Sequence, residues 1–159
     1  MENWNTAFRR GLVSGTTASV LSTAALALLG KKETGSPFAA TNAISHWIWG
    51  DKAAHEDRAS LRYTTPGYLI HHASATFWAV LFERYCARLL DRRDSATTLA
   101  TATAASAFAC FTDYKLTPHR LHPGYEKRLS QAALAVVYGA FGVGLAAGAM
   151  LCRRDQSMR

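Results

Sequence analysis

Two long runs of this chain contain no Asp, Glu, Lys, Arg or His: residues 13–29 and residues 130–152. A helix of roughly 20 apolar residues at about 1.5 Å rise each crosses the hydrocarbon of a bilayer. Two further stretches lie between these runs. Together the segments 11–30, 68–82, 95–111 and 129–152 are rich in small and apolar residues, each bracketed by Arg or Lys. A helix on the surface of a water-soluble protein carries a polar stripe. Residues 133–148 consist only of Ala, Val, Gly, Leu, Tyr and Phe, so no side of that helix is polar.

The pattern predicts an all-α integral membrane protein, a four-helix bundle forming a single membrane domain over residues 1–159. The spans are expected at about residues 9–30, 66–90, 95–114 and 126–152. The mean hydropathy of −0.04 is low for such a protein, because charge is segregated into the connections rather than absent. The third span is made of Ala and Thr with few large aliphatics. Thr hydroxyls bond back to helix carbonyls and are tolerated in lipid, but so weak a span is expected to be the helix most enclosed by protein.

Ser or Thr precedes Pro at 36–37, 65–66 and 117–118, a pairing suited to a helix N-cap and first turn. Pro37 is expected to open a short amphipathic helix, about residues 37–49, and Pro66 the second span. The short helix carries Phe38, Ile44, Trp47 and Trp49, which predicts a position along the membrane interface between the first and second spans. Asp94 is expected to cap the third span, and Pro123-Gly124 to break the chain before the fourth. Gly11 and Gly15 are four apart, as are Gly144 and Gly148. Such spacing lets helix backbones approach closely, either within the bundle or in a homo-oligomer.

The formal charge is +7, from 18 Lys and Arg against 11 Asp and Glu. Arg9, Arg10, Arg84, Arg88, Arg92, Arg93, Arg153, Arg154 and Arg159 fall on one face. Lys31, Lys32, Lys52, Arg58, Arg62, Lys115, Arg120, Lys127 and Arg128 fall on the other. The first set is clustered in short segments at span ends, so it is assigned to the cytoplasm with both termini. The expected location is a bacterial-type inner membrane, with lipid as the surroundings and a second copy or a membrane complex as partner. No basic stripe with interleaved aromatics points to nucleic acid. Residues 8–13 (FRRGLV) resemble a twin-arginine export signal, but the segment behind them is read as a retained first span. Cys86, Cys110 and Cys152 are odd in number, far apart and without a CxxC spacing, so they read as small buried apolar residues.

All six histidines lie toward one end of the layout. His46 and His55 come from the first loop, His71 and His72 from the second span, and His119 and His122 from the last loop. With Asp113 and Glu126 they form a candidate polar site of His71, His72, Asp113, His119, His122 and Glu126. Imidazole and carboxylate suit Zn, Fe, Cu or Mn, and a transition metal would draw on His46, His71, His72, Asp113, His119 and His122. Geometry restrains that reading. His71 and His72 are adjacent and diverge by about 100° on a helix, and Pro123 takes His122 out of helical geometry. Asp113 is expected to pair with Arg120 or His72. His72, Thr76 and Glu83 form a polar stripe along the second span, with Glu83 expected beside Arg84 or Arg88.

No Walker, Rossmann or Gly-x-Ser-x-Gly pattern occurs, and no reaction class follows. The expected role is non-enzymatic: a packing or oligomeric subunit, or a binder of a hydrophobic ligand. One rival is a metal-dependent membrane enzyme or redox protein with its site at the non-cytoplasmic interface. Another is a proton- or ion-conducting bundle lined by the His72, Thr76 and Glu83 stripe.

Overall fold

The computed structural model describes residues 1–155; Arg159, counted above with one basic face, lies outside them. Every regular element among the described residues is helical. In chain order these are α1 (Trp4–Thr34), α2 (Ala39–Ile44), α3 (His46–Trp49), α4 (Thr64–Leu90), α5 (Ser95–Phe111) and α6 (Gln131–Asp155). A 3₁₀ turn Gly50–His55 follows α3. A π-helical turn Thr112–Leu116 extends α5, and short 3₁₀ turns His119–Leu121 and Tyr125–Lys127 lead into α6. α1 and α6 are long and apolar enough to cross a membrane. In α4 the apolar run is interrupted by His71, His72 and Glu83, and α5 has 17 residues.

α1 packs antiparallel against α4 and α6, and α5 packs antiparallel against α6, while α4 and α6 run parallel where they meet. The residues that set the distances are the small ones. A Cβ added at Gly11 would lie 2.5 Å from Val80 Cγ2, and one at Gly15 would lie 2.7 Å from Thr76 Cα. Gly144 and Gly148 meet the backbone of Ala18 and Ser14 just as closely. Both glycine pairs therefore serve contacts within the chain, α1 on α4 and α6 on α1. At this approach Thr17 Oγ1 donates to Gly144 O at 2.7 Å. On the other flank of α6, Ser106 Oγ of α5 donates to Tyr138 O at 2.6 Å.

The most enclosed of the four is α6, not the third span. α6 touches α1, α4 and α5, and its buried residues include Val137, Phe141, Leu145 and Ala149. α5 buries one narrow face, Thr98, Ala102, Ser106 and Ala109, and leaves Leu99, Phe108 and Phe111 exposed. Its small residues recur at steps of four and three, which makes a single stripe. α6 carries small residues toward both α1 and α5 and so accepts two neighbours at close approach.

The expected interfacial helix is also different. It breaks at Ser45 into α2 and α3. All six residues of α2 are buried, packed against α1, α4 and the two adjacent 3₁₀ turns. Phe38 ahead of α2 and the α3 end, with Ile48 and Trp49, are the exposed parts. The cause is Asn42, whose side-chain amide donates to Glu56 O and Arg58 O at 2.9 Å each and accepts from Thr64 Oγ1 at 2.6 Å. One buried amide thus draws the polar 51–63 segment over α2.

Helix ends follow the local chemistry. Asp94 caps α5, accepting from Thr97 N at 2.6 Å. Hydrogen bonding from Thr97, its side chain first and its backbone N–H second, holds the Asp94 carboxyl below its usual range. Pro66 sits in the first turn of α4, which opens two residues earlier at Thr64. Pro37 likewise lies two residues ahead of α2. Glu33, in the last turn of α1, accepts from both Ser130 N and Ser130 Oγ at 2.7 Å. Its charge thereby lies at the N-terminal, positive end of α6.

Candidate functional site

Between α4, the end of α5 and α6 lies a cavity of about 510 Å³, within the range of pockets that hold organic ligands. Its apolar walls come from Ile70 and Trp78 of α4, Ala109 of α5, and Val137 and Phe141 of α6. Trp47 and Ile44 close the end nearest the α2–α3 segment. Ala73, Phe77 and Leu121 line it and are themselves exposed, which places the mouth along α4 beneath the 117–124 loop. At one end Trp78 sets its ring edge-on against Phe108 at 6.0 Å.

Its polar groups are few. Asp113 enters on the π-helical turn, where the wider winding rotates it off the α5 register. Its Oδ2 accepts from Tyr138 Oη at 2.6 Å. Tyr138 also anchors an aromatic cluster, with Tyr114 and Tyr125 centroids at 6.2 and 6.4 Å. Burial pushes the Tyr125 hydroxyl well above the usual tyrosine range. On the facing wall His71 Nε2 lies 2.8 Å from Ser22 Oγ. The Ser22 hydroxyl donates to Ala18 O at 2.7 Å. Thr112, which also lines the cavity, has a buried Oγ1 with no partner.

The structure divides the sequence-derived site. His71 and Asp113 reach the cavity. His72 points elsewhere, its ring 5.9 Å from Tyr68 and its Nδ1 buried without a partner. His46 is buried beneath the 119–122 turn, with Nδ1 2.9 Å from Ala43 O and Nε2 3.2 Å from Arg120 O. His119 and His122 meet with ring centroids 4.8 Å apart and planes inclined at 49°. His55 is exposed and bonds Asp51 O, and Glu126 accepts from Gly124 N. Among the described residues no group of three or more His, Cys, Asp or Glu is placed to hold a metal ion. Asp113 pairs with neither Arg120 nor His72 but with Tyr138, because the π turn aims it at α6.

The polar stripe of α4 is a packed seam at its centre, where Thr76 faces Gly15 at backbone contact. Glu83 is 0% exposed and Arg153 is 4% exposed. Glu83 pairs with Arg153, not with Arg84 or Arg88: Arg153 Nη1 donates to Glu83 Oε2 at 3.0 Å, and Ser14 Oγ donates to Oε1 at 2.7 Å. Arg153 Nε also donates to Asp91 Oδ1 at 3.0 Å. Arg84 lies about 100° and Arg88 about 140° round the helix from Glu83; Arg84 lies over the ring of Trp4 instead, at 5.0 Å.

Sequence reasoning missed Tyr138, Trp78, Ser22 and the cavity itself. Tyr138 was legible only as one aromatic residue in an apolar run, and its hydroxyl acquires meaning once Asp113 is placed beside it. No protein-family model matches this chain, and no curated protein or solved structure matches it either.

Proposed function

We propose that this protein is a multi-pass membrane protein that holds a lipophilic ligand in the cavity between α4, α5 and α6. The observation that carries the reading is the mouth of that cavity. It opens among exposed apolar side chains, Phe77 and Leu121, so a ligand entering from lipid does not pass through water. All four long helices cross in this reading, α4 and α5 shielded at their polar positions by α1 and α6.

Two aromatic–arginine clusters support a bilayer-scale spacing. Arg62 stacks over Trp49 and Tyr63 at 4.7 and 5.4 Å. Arg84 stacks over Trp4 and Tyr85 at 5.0 and 5.8 Å. Tyr63 and Tyr85 are separated along α4 by about 33 Å at helical rise, close to the hydrocarbon thickness that interfacial aromatics bracket. The end with the α4–α5 turn and both termini carries the Arg-dense short segments and is assigned to the cytoplasm. The role as a packing or oligomeric subunit loses its main support, since the glycine faces are occupied within the chain.

Cysteine labelling in intact cells tests the arrangement. Ala59→Cys is expected to react with a membrane-impermeant maleimide directly, and Arg92→Cys only after permeabilisation. If α1 and α6 alone crossed, both sites would lie on one side. Labelling of both from outside would overturn the four-span reading.

A further inference from the structure

We infer that the cavity takes an amphiphilic organic cation, an ammonium group on an apolar body, with Asp113 as its counter-charge. The inference rests on the ligand-binding reading above and narrows it to a chemical class. Charge carries the argument. Among the described residues no Lys or Arg lines the cavity, and Asp113 is the one carboxylate there. Glu83, enclosed toward the other end of α4, has the Arg153 guanidinium as its partner. Asp113 has a phenol hydroxyl in that place: Tyr138 Oη donates to it at 2.6 Å. A carboxylate withdrawn from water is costly unless a positive charge faces it, and here the ligand is left to supply that charge.

The walls suit the same ligand. Trp47, Trp78, Tyr138 and Phe141 bring aromatic rings to the lining, and the π face of such a ring attracts an organic ammonium. Hydroxyls of Ser74, Thr112 and Thr117 also line the space. Each both donates and accepts, so they favour neither sign of charge. Thr112 Oγ1, next to Asp113 in the chain and buried without a partner, is free to turn a lone pair toward the cation. A fatty acid or a phosphate head would set a second anion against Asp113, and a neutral alcohol would leave the carboxylate uncompensated. His71 is the other ionisable group on the lining, with Nε2 2.8 Å from Ser22 Oγ. A proton on that ring would answer Asp113 from within and turn the preference toward an anion, the outcome that laurate probes. The apolar body of the ligand leaves toward the mouth at Ala73 and Phe77.

Native mass spectrometry of the full chain in a non-ionic detergent tests the inference. The probes share one chain length and differ in charge: dodecyltrimethylammonium, 1-dodecanol and laurate, each added separately. The expected result is one saturable dodecyltrimethylammonium per chain, with dodecanol and laurate bound at least about tenfold more weakly. Asp113→Asn should weaken the ammonium about tenfold and bring it level with dodecanol. Should that variant fail to fold, Ala73→Trp decides, because it fills the mouth from an exposed position. It should abolish the adduct while the melting temperature holds. Dodecanol or laurate binding as tightly as the ammonium would overturn the charge selection and leave the lipophile reading standing. Undiminished ammonium binding by a folded Asp113→Asn would overturn the role of that carboxylate. Retention of the ammonium by Ala73→Trp would overturn its placement in this cavity. Failure of all three probes to bind would overturn both readings.

Discussion

Asn42 and Gly124 each hold the connecting segments onto the helices. Asn42 meets three polar partners from a fully buried position. Replacing it by Ala should destabilise the protein by about 2–4 kcal/mol at roughly 1 kcal/mol per hydrogen bond, read as a drop in the thermal midpoint in detergent. Gly124 adopts φ +95°, and a Cβ there would fall 2.5 Å from His46 Nδ1 and 2.6 Å from Ala43 O. Gly124→Ala should therefore loosen the last loop, seen as faster hydrogen exchange at residues 117–127. Asp51 bears on pH. Its bond with Lys127, 2.6 Å long, holds the carboxyl below its usual value. A depressed folded-state pKa gives stabilisation that is present above the unfolded value, about 3.9, and lost as pH falls through the folded one. The difference in melting temperature between the wild type and Asp51→Asn should be present at pH 6 and shrink progressively as the pH falls below about 3.9.

Helix contacts make sharper demands than helix formation does. Glycine at 15 lets α1 touch α4, so Gly15→Leu should sharply reduce the yield of folded protein. Gly139 has nothing within 4 Å of its notional Cβ. There Ala should stabilise, by about 0.5–1 kcal/mol from helix propensity alone. The two substitutions, compared by thermal denaturation in the same detergent, should move in opposite directions. The Glu83–Arg153 pair offers a second test between elements. Arg153→Met leaves a buried carboxylate without its partner and should cost about 3–5 kcal/mol, whereas the double change with Glu83→Leu should recover most of it. Much of this level was legible in the sequence. The charge-free runs, the Asp94 cap and the glycine spacings marked helices and close faces correctly. What each face met was not legible, because partners are chosen in three dimensions. α5 reads as the helix in most need of shelter, yet α6 has the two small-residue sides that place it at the centre. The 37–49 segment has the spacing of a surface helix until Asn42 pulls a polar loop across it. For the site, His71 and Asp113 were identifiable as residue types, while their partners Ser22 and Tyr138 were not.

Taken whole, the molecule presents side chains such as Leu28, Phe77, Phe108 and Val143 outward from four different helices. A water-soluble protein would tolerate a charge at such positions, and its solubility would gain. A lipid-facing one would not. Val143 is 52% exposed near the middle of α6. Val143→Lys should reduce membrane insertion by about 2.5–3.5 kcal/mol on the scale measured for a central lysine, assayed as the membrane-integrated fraction after cell-free synthesis. Full recovery of the lysine variant in the membrane would count against lipid at that surface.

The Glu83–Arg153 pair makes the structure sensitive to its own completion. The carboxylate is delivered early, on α4, and its counter-charge arrives only with the far end of α6. In the proposed four-span arrangement, a nascent polypeptide extended no further than α5 would keep an anion in hydrocarbon and two empty grooves along its first and third long segments. The arrival of a single guanidinium at the end of α6 would neutralise that anion and close the last of the assembly.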